Sequence, residues 1–249
     1  MNARALLNDR DHRPWPLPAS PWVMTQTWSE LLFAHWPLAP ETLRRFLPPQ
    51  LTLDTWEGEA WIGVVPFRMT NVRPRFTPPD PWLSAFPELN VRTYVTAGGK
   101  PGVWFFSLDA ANPVAVAVAR TLFALPYFRA RMACRRVGEE TVQYRSRRTH
   151  RGAPQATLEA SYRPVGPTFM PAASTLEQWL TERYCLYAVS RRGTLLRGEI
   201  HHRRWRLRLG EAELRVNTMA LAAGVTLPES APLLHVAEPQ ETLIWAPRL

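Results

Sequence analysis

"LNVRTYVTAGGKPGVWFFSLDA", residues 89–110, is the stretch whose reading decides the fold. Val91, Thr93 and Val95 alternate with Arg92 and Tyr94, and a period of two sends successive side chains to opposite faces of a strand. Gly98-Gly99 supplies the turn of a hairpin, and "VWFFSL" returns as the partner strand. The same pattern recurs along the chain. "WVMTQTWSELLFAHWPL" (22–38) predicts a strand followed by irregular chain, and "LTLDTWEGEAWIGVVPFRMTNV" (51–72) two strands around a Glu57-Gly58 turn. Proline-rich "RPRFTPPDPW" (73–82) is a loop. Further strands are expected over 127–134, 141–148 and 156–163, then in "RYCLYAVS", "LLRGEI" and "RRWRLRL". Helical signals are few. Pro40 opens "PETLRRFL" (40–47), Asn112-Pro113 caps residues 112–124, and the capping box Ser174-Thr-Leu-Glu177 opens a short helix; 217–223 is expected to be a helical turn. Many sequential strands with few helices predict an α+β fold, a large mostly antiparallel sheet, curved or closed, with short helices against it.

The composition fits a globular chain of one large domain, 46% hydrophobic and 20% charged. Its 11 tryptophans and 25 prolines favour aromatic packing and many turns over long helices. Residues 1–20, "MNARALLNDRDHRPWPLPAS", predict a flexible proline-rich arm, and 21–249 a single domain without linker or repeat. Cys134 and Cys185 make neither a disulfide framework nor a zinc site. His201 and His202 point to opposite sides of a strand, a poor geometry for sharing a metal. With no glycine-rich phosphate loop, HExxH, nucleophile elbow or CxxC, no cofactor and no metal are expected. The stretch "PVAVAVARTLFAL" (113–125) is interrupted by Arg120 and too short to span a bilayer, and no secretory signal opens the chain. The expectation is a cytoplasmic protein away from the membrane.

The formal charge of +9 comes from 30 basic side chains, of which 29 are arginine and one is Lys100. Fifteen arginines fall in 129–151 and 191–208, and several alternate with apolar residues: Arg204, Arg206 and Arg208, Arg129 and Arg131, Arg145 and Arg147. Such strands present a basic face, which serves as a phosphate platform, an anion cavity if turned inward, or a solvated outer face. No helix-turn-helix, RNA-recognition or zinc-finger motif accompanies the charge, so nucleic acid is disfavoured as a partner. Lys100 lies in a Gly-Gly-Lys-Pro-Gly connection, where a lysine is ordinarily a solvated turn residue and not a catalytic amine.

In "FPELNVRTYV" (86–95), Glu88, Asn90 and Arg92 share one strand face. Carboxylate, amide and guanidinium in a row can orient a polar small molecule, or form a structural ion-pair row on a sheet edge. His35, between Ala34 and Trp36, is either a packed core histidine or a pocket residue.

The runs "LLFAHWPL", "WIGVVPFRMTNVRP", "FPELNVRTYV", "GGKPGVWFFSLDA" and "LFALPYFRARM" resemble the YqjF-like family, over residues 21–247. That family, of unassigned biochemical role, is similar in fold to acetoacetate decarboxylase. The resemblance implies an α+β domain built on a cone-like, mostly antiparallel β-barrel around a pocket. In the decarboxylases a helix enters a strand at Gly-Phe-Pro-Lys-Lys, and the first lysine, kept neutral by an apolar site and a neighbouring cation, forms a Schiff base with a keto acid. The comparable place here reads Ala124-Leu125-Pro126-Tyr127-Phe128. A phenol cannot form an imine, so the decarboxylase mechanism does not carry over. The acidic partner of that pocket would be Glu88. The resulting expectation is a pocket for a small organic molecule, with an anion among the candidates. Arg68 and Arg92 would be its anion partners, Glu88 a hydrogen-bond acceptor or base, Tyr127 a donor at the floor, and Asn90 and His35 further ligand contacts. Simple binding or sensing competes with acid/base catalysis without an imine, and the relatives in fold suggest a homo-oligomer by analogy.

Overall fold

The computed structural model describes residues 3–248. α1 (Ala3–Asn8) is followed by β1 (Met24–Ser29), β2 (Leu31–Leu38), α2 (Pro40–Arg44), β3 (Thr52–Leu53), β4 (Ala60–Pro74), β5 (Phe86–Ala97) and β6 (Lys100–Ala110). α3 (Pro113–Leu122) leads into β7 (Tyr127–Val137), β8 (Thr141–Arg148) and β9 (Thr157–Phe169). α4 (Leu176–Thr181) then precedes β10 (Cys185–Val189), β11 (Leu195–His202), β12 (Leu207–Asn217), β13 (Leu233–Ala237) and β14 (Gln240–Ile244).

Every one of these strands belongs to one sheet, and the sheet closes. β1 and β2 are two halves of a single kinked strand: Met24 pairs with Pro74, Ser29 with Arg68, Ala34 with Val64 and Leu38 with Ala60, all along β4. The kink is Glu30, held at φ 51°. It flips the side-chain parity, so that Met24, Gln26 and Trp28 before it and Leu31 and Phe33 after it all face the same cavity. From β1 the hydrogen bonding runs through β14, β11, β10, β6, β7, β8, β9, β12 and β13 back to β2. Adjacent strands are antiparallel except at β10–β6 and β6–β7. β4 and β5 span the ring as an internal wall from β1/β2 to β6.

A wall inside a ring is buried on both faces, and the residues show it. Leu32, Ala34 and Trp36 of β2, Ile62 and Val64 of β4 and Leu89 and Val91 of β5 pack into a filled core with Tyr144, Leu158 and Tyr162. Leu31 and Phe33, Val65, Phe67 and Met69, and Phe86 face a second cluster on the other side. Strands buried on both faces read as unbroken apolar runs. That is why "LLFAHWPL" showed no alternation and β2 was expected as irregular chain.

Other expectations need amendment. The Glu57-Gly58 turn forms, with both residues at positive φ, but β3 leaves it to pair with β5. Thr175, not Ser174, caps α4: its Oγ1 accepts from the Gln178 amide, while Gln178 Oε1 accepts from the Ser174 amide. "RRWRLRL" enters the sheet only at Leu207. The described part of residues 1–20 is no loose arm. Leu6 is fully buried, and Arg13 and Trp15 both donate to Glu199 of β11. These partners lie some 185 residues away along the chain, so no local pattern announces them.

Candidate functional site

Between the β4–β5 wall, β10, β11, β14 and α3 lies a cavity of ≈ 300 Å³. Its walls are mostly apolar: Phe33, Phe67, Met69, Phe105, Leu108, Leu186 and Trp205 among others. Besides the Tyr127 hydroxyl and the indole N–H groups of Trp28 and Trp205, the polar lining consists of Gln26, Arg73, Glu88, Asn90, Arg92, Thr181, Arg183 and His202.

β5 sets the order of these groups. Phe86, Glu88, Asn90 and Arg92 line the cavity in succession, and at about 3.3 Å of rise per residue Arg92 sits roughly 13 Å along the strand from Glu88. Glu88 pairs with Ala110, just before α3, while Arg92 reaches the Leu180 carbonyl of α4. The cavity therefore has two chemically distinct ends.

At the α3 end, Glu88 is buried and Tyr127 Oη lies 3.0 and 3.1 Å from its two carboxyl oxygens. Tyr127 arrives there because Asn112 caps α3 and Ala124, at φ 53°, turns the chain into β7. Burial raises the Glu88 pKa to about 8; the Tyr127 hydrogen bond opposes this and Asp109 adds to it. Burial first, and then the Glu88 charge, push the Tyr127 pKa well above the usual phenol range. At neutral pH Glu88 is thus chiefly the neutral acid, able to donate a proton on one oxygen while the other accepts from Tyr127.

At the α4 end two guanidiniums flank Tyr94, Arg92 with its Cζ 5.6 Å and Arg183 with its Cζ 4.9 Å from the ring centroid. Arg183 donates to Asp54 Oδ2 at 2.6 Å and to the Trp179 carbonyl at 2.6 Å. Burial draws its pKa down, Asp54 opposes, and the positive charge of Arg92 pushes the same way as burial. Arg92 Nη2 donates to Tyr94 Oη and to the Leu180 carbonyl, each at 3.3 Å, and no carboxylate pairs with it among the described residues. Asn90 Oδ1, Arg92 Nε, Arg183 Nη2 and Trp205 Nε1 are buried with no protein hydrogen-bond partner among the described residues. These orphan polar atoms, all on cavity-lining residues, leave hydrogen-bonding capacity unfilled beside the cavity.

Of the residues expected at the site, the fold brings Glu88, Asn90, Arg92 and Tyr127 to the cavity wall. Arg68 is not among them. It alternates with the inward-facing Phe67 and Met69 and is exposed on the opposite face of β4. His35 stands one layer behind the wall, fully buried, its Nε2 2.6 Å from Tyr94 Oη. Burial, Arg92 and His235 hold its pKa well below the usual histidine range, so the ring is neutral and accepts from Tyr94. Lys100 follows the Gly98-Gly99 turn, partly exposed and outside the cavity lining: its Nζ is 3.3 Å from Glu199 Oε1 and 5.1 Å from the Trp15 ring centroid. Arg183 and His202 were missed as site residues. His201 and His202 do diverge, His201 toward the Leu6 carbonyl at 2.8 Å and His202 toward the cavity. Arg183 precedes β10 in irregular chain, outside any periodic pattern. The arginine-rich strands turn their charge outward: Arg129, Arg131, Arg145 and Arg147 are exposed, and Arg206 and Arg208 pair with Glu238 and Glu140.

A family model for DUF2071, described as an uncharacterized conserved protein, matches residues 25–241. The chain belongs to the DUF2071 family. It is 48% identical over 229 residues to the uncharacterized protein YqjF of Bacillus subtilis, covering 92% of this chain and 93% of that protein. Among solved structures this DUF2071 chain is similar to the enduracididine biosynthesis enzyme MppR, complexed with the condensation product of pyruvate and imidazole 4-carboxaldehyde. The TM-score is 0.64 at 17% identity, with 92% of this chain and 90% of that one covered. It is also similar to acetoacetate decarboxylase from Legionella pneumophila, with a TM-score of 0.59 at 16% identity over 98% and 94% of the two chains. At such identities the likeness is one of fold, and it agrees with the acetoacetate-decarboxylase-like architecture expected above. No described helix is long and apolar enough to cross a membrane.

Proposed function

We propose that the cavity binds a small organic anion and holds it without a covalent bond to the protein. The observation that carries this is the Arg92–Arg183 pair. Two neighbouring guanidiniums on the wall of an apolar cavity repel one another, and only one of them has a carboxylate partner among the described residues. An organic acid bound between them supplies the missing counter-charge. An imine route has no nucleophile here, because the sole lysine is tied to Glu199 away from the cavity lining. Tyr127 takes the role of a donor at the position where the decarboxylase resemblance places the Schiff-base lysine. Solved relatives in fold include MppR complexed with pyruvate, so an organic acid suits the architecture.

One feature favours chemistry beyond binding. Burial raises the Glu88 pKa to about 8 beside a buried phenol, the condition for moving a proton to or from a bound molecule by general acid/base catalysis. Calorimetric titration with monocarboxylates separates the roles. Arg92→Met is expected to weaken binding at least tenfold, as loss of a charge-assisted contact requires, while Glu88→Gln leaves binding within a few fold. Unchanged affinity in Arg92→Met would place the anion elsewhere.

A further inference from the structure

The order of groups along β5 constrains the shape of the guest. Resting on the reading of the cavity as an anion site, we infer that the ligand is an elongated monocarboxylate: its acid group lies at Arg92 and Arg183, and its apolar body runs past Glu88 and Tyr127 to a mouth beside α3. In a two- or three-carbon keto acid the carboxylate and the neighbouring carbonyl are adjacent, so such a molecule cannot reach both ends of this cavity. The separation of roughly 13 Å between Glu88 and Arg92 along the strand calls for a longer molecule. Apart from Asn90 the intervening wall is apolar, formed by Phe33, Phe67, Phe105 and Leu108, and offers a carbon chain or an aromatic body contact along most of its length. The cavity volume is that of a site for a drug-sized molecule, not a three-carbon acid.

The exit is defined as well. Val114 and Val118 of α3 and Leu83 all line the cavity, yet they are 50%, 41% and 42% exposed. They form the rim where inside meets solvent. A helix that both lines the cavity and presents some of the same residues to solvent sits at an opening, and its apolar side of the rim admits a chain end without stranding a polar group. Any group of the ligand lying against Glu88 is then a mid-chain or distal one, well removed from the acid head, and proton transfer there acts far from the carboxylate.

The probes are saturated monocarboxylates from acetate to decanoate, with pyruvate and 1-decanol as controls, titrated by calorimetry into the full chain. The dissociation constant is expected to fall about fourfold per added methylene, the yield of burying one CH₂, until the chain reaches the rim. Decanol should bind at least tenfold more weakly than decanoate. Val118→Asp, at a half-exposed position that the fold tolerates, should weaken decanoate at least tenfold and leave butyrate unchanged. Arg92→Met should weaken every acid by a similar factor. A flat series that still depends on Arg92 would overturn the elongated ligand and leave the anion site standing. Decanol binding as tightly as decanoate, with no effect of Arg92→Met, would overturn both.

Discussion

Glu88 keeps its proton where a carboxyl in water would have lost it, because burial against Phe67 and Tyr127 penalises the charge more than one phenolic hydrogen bond repays. The consequence for stability has a definite sign. A carboxyl whose pKa is raised on folding stabilises the fold fully below its unfolded value of 4.5, and that stability is lost as pH rises through about 8. The parent protein should therefore lose roughly 3–5 kcal/mol between pH 4.5 and 8.5 from this group alone. Glu88→Gln should remove that slope and be the more stable of the two above pH 8. Urea denaturation at pH 5 and pH 8.5 checks this, and parallel losses in the two proteins would contradict it. Glu88, Asn90 and Arg92 were legible in the sequence because a strand periodicity of two sorts residues onto faces whatever the rest of the chain does. Arg183 was not, since its place on the wall is set by Asp54 and Trp179 and not by any repeat of its own. Arg68 had the right chemistry on the wrong face, one residue out of phase with Phe67 and Met69.

At the scale of elements, the pairing of β2, β4 and β5 holds the Arg92 end of the cavity in place through contacts one layer behind its wall. His35 of β2 accepts from Tyr94, and Tyr94 in turn accepts from Arg92, so a neutral ring one layer back orients the guanidinium. Gly63 of β4 makes room for that ring: a Cβ there would meet His35 Cδ2 at 2.9 Å and Nε2 at 3.0 Å. Gly63→Ala is expected to cost about 1–3 kcal/mol by overpacking and to weaken anion binding by displacing the His35–Tyr94 pair. Thermal unfolding and titration of the same variant test the two effects, and an unchanged affinity would free Arg92 from this chain of contacts. The β5–β6 hairpin and the capped α3 were legible because their signals, Gly98-Gly99 and Asn112-Pro113, are local. The division of 22–38 at Glu30 was not. A parity flip looks like lost periodicity until the partner strand is known, and here β4 runs past both halves.

For the molecule as a whole, the ring and its internal wall explain why one side is a packed core and the other a cavity. The filled side receives Tyr144, Tyr162 and Leu158 from β8 and β9, whereas the open side is bounded by the short strands β10, β11 and β14. The excess positive charge lies on the outer face of the sheet, much of it beside acidic partners, and only Arg92, Arg183 and Arg73 reach the cavity. The class of fold could be inferred from the run of strands, but closure could not, because it depends on β13 and β14 returning to the two halves of one strand near the start of the chain. The most direct test of the anion site is a crystal structure with a bromine-tagged acid, 6-bromohexanoate, using anomalous scattering to locate the bromine. The expected result is a carboxylate bridging Arg92 and Arg183, with the bromine displaced along β5 toward Glu88 and α3. A carboxylate bound at the exposed arginines of β7 and β8, or a bromine lodged at the arginine pair with the acid facing α3, would contradict it.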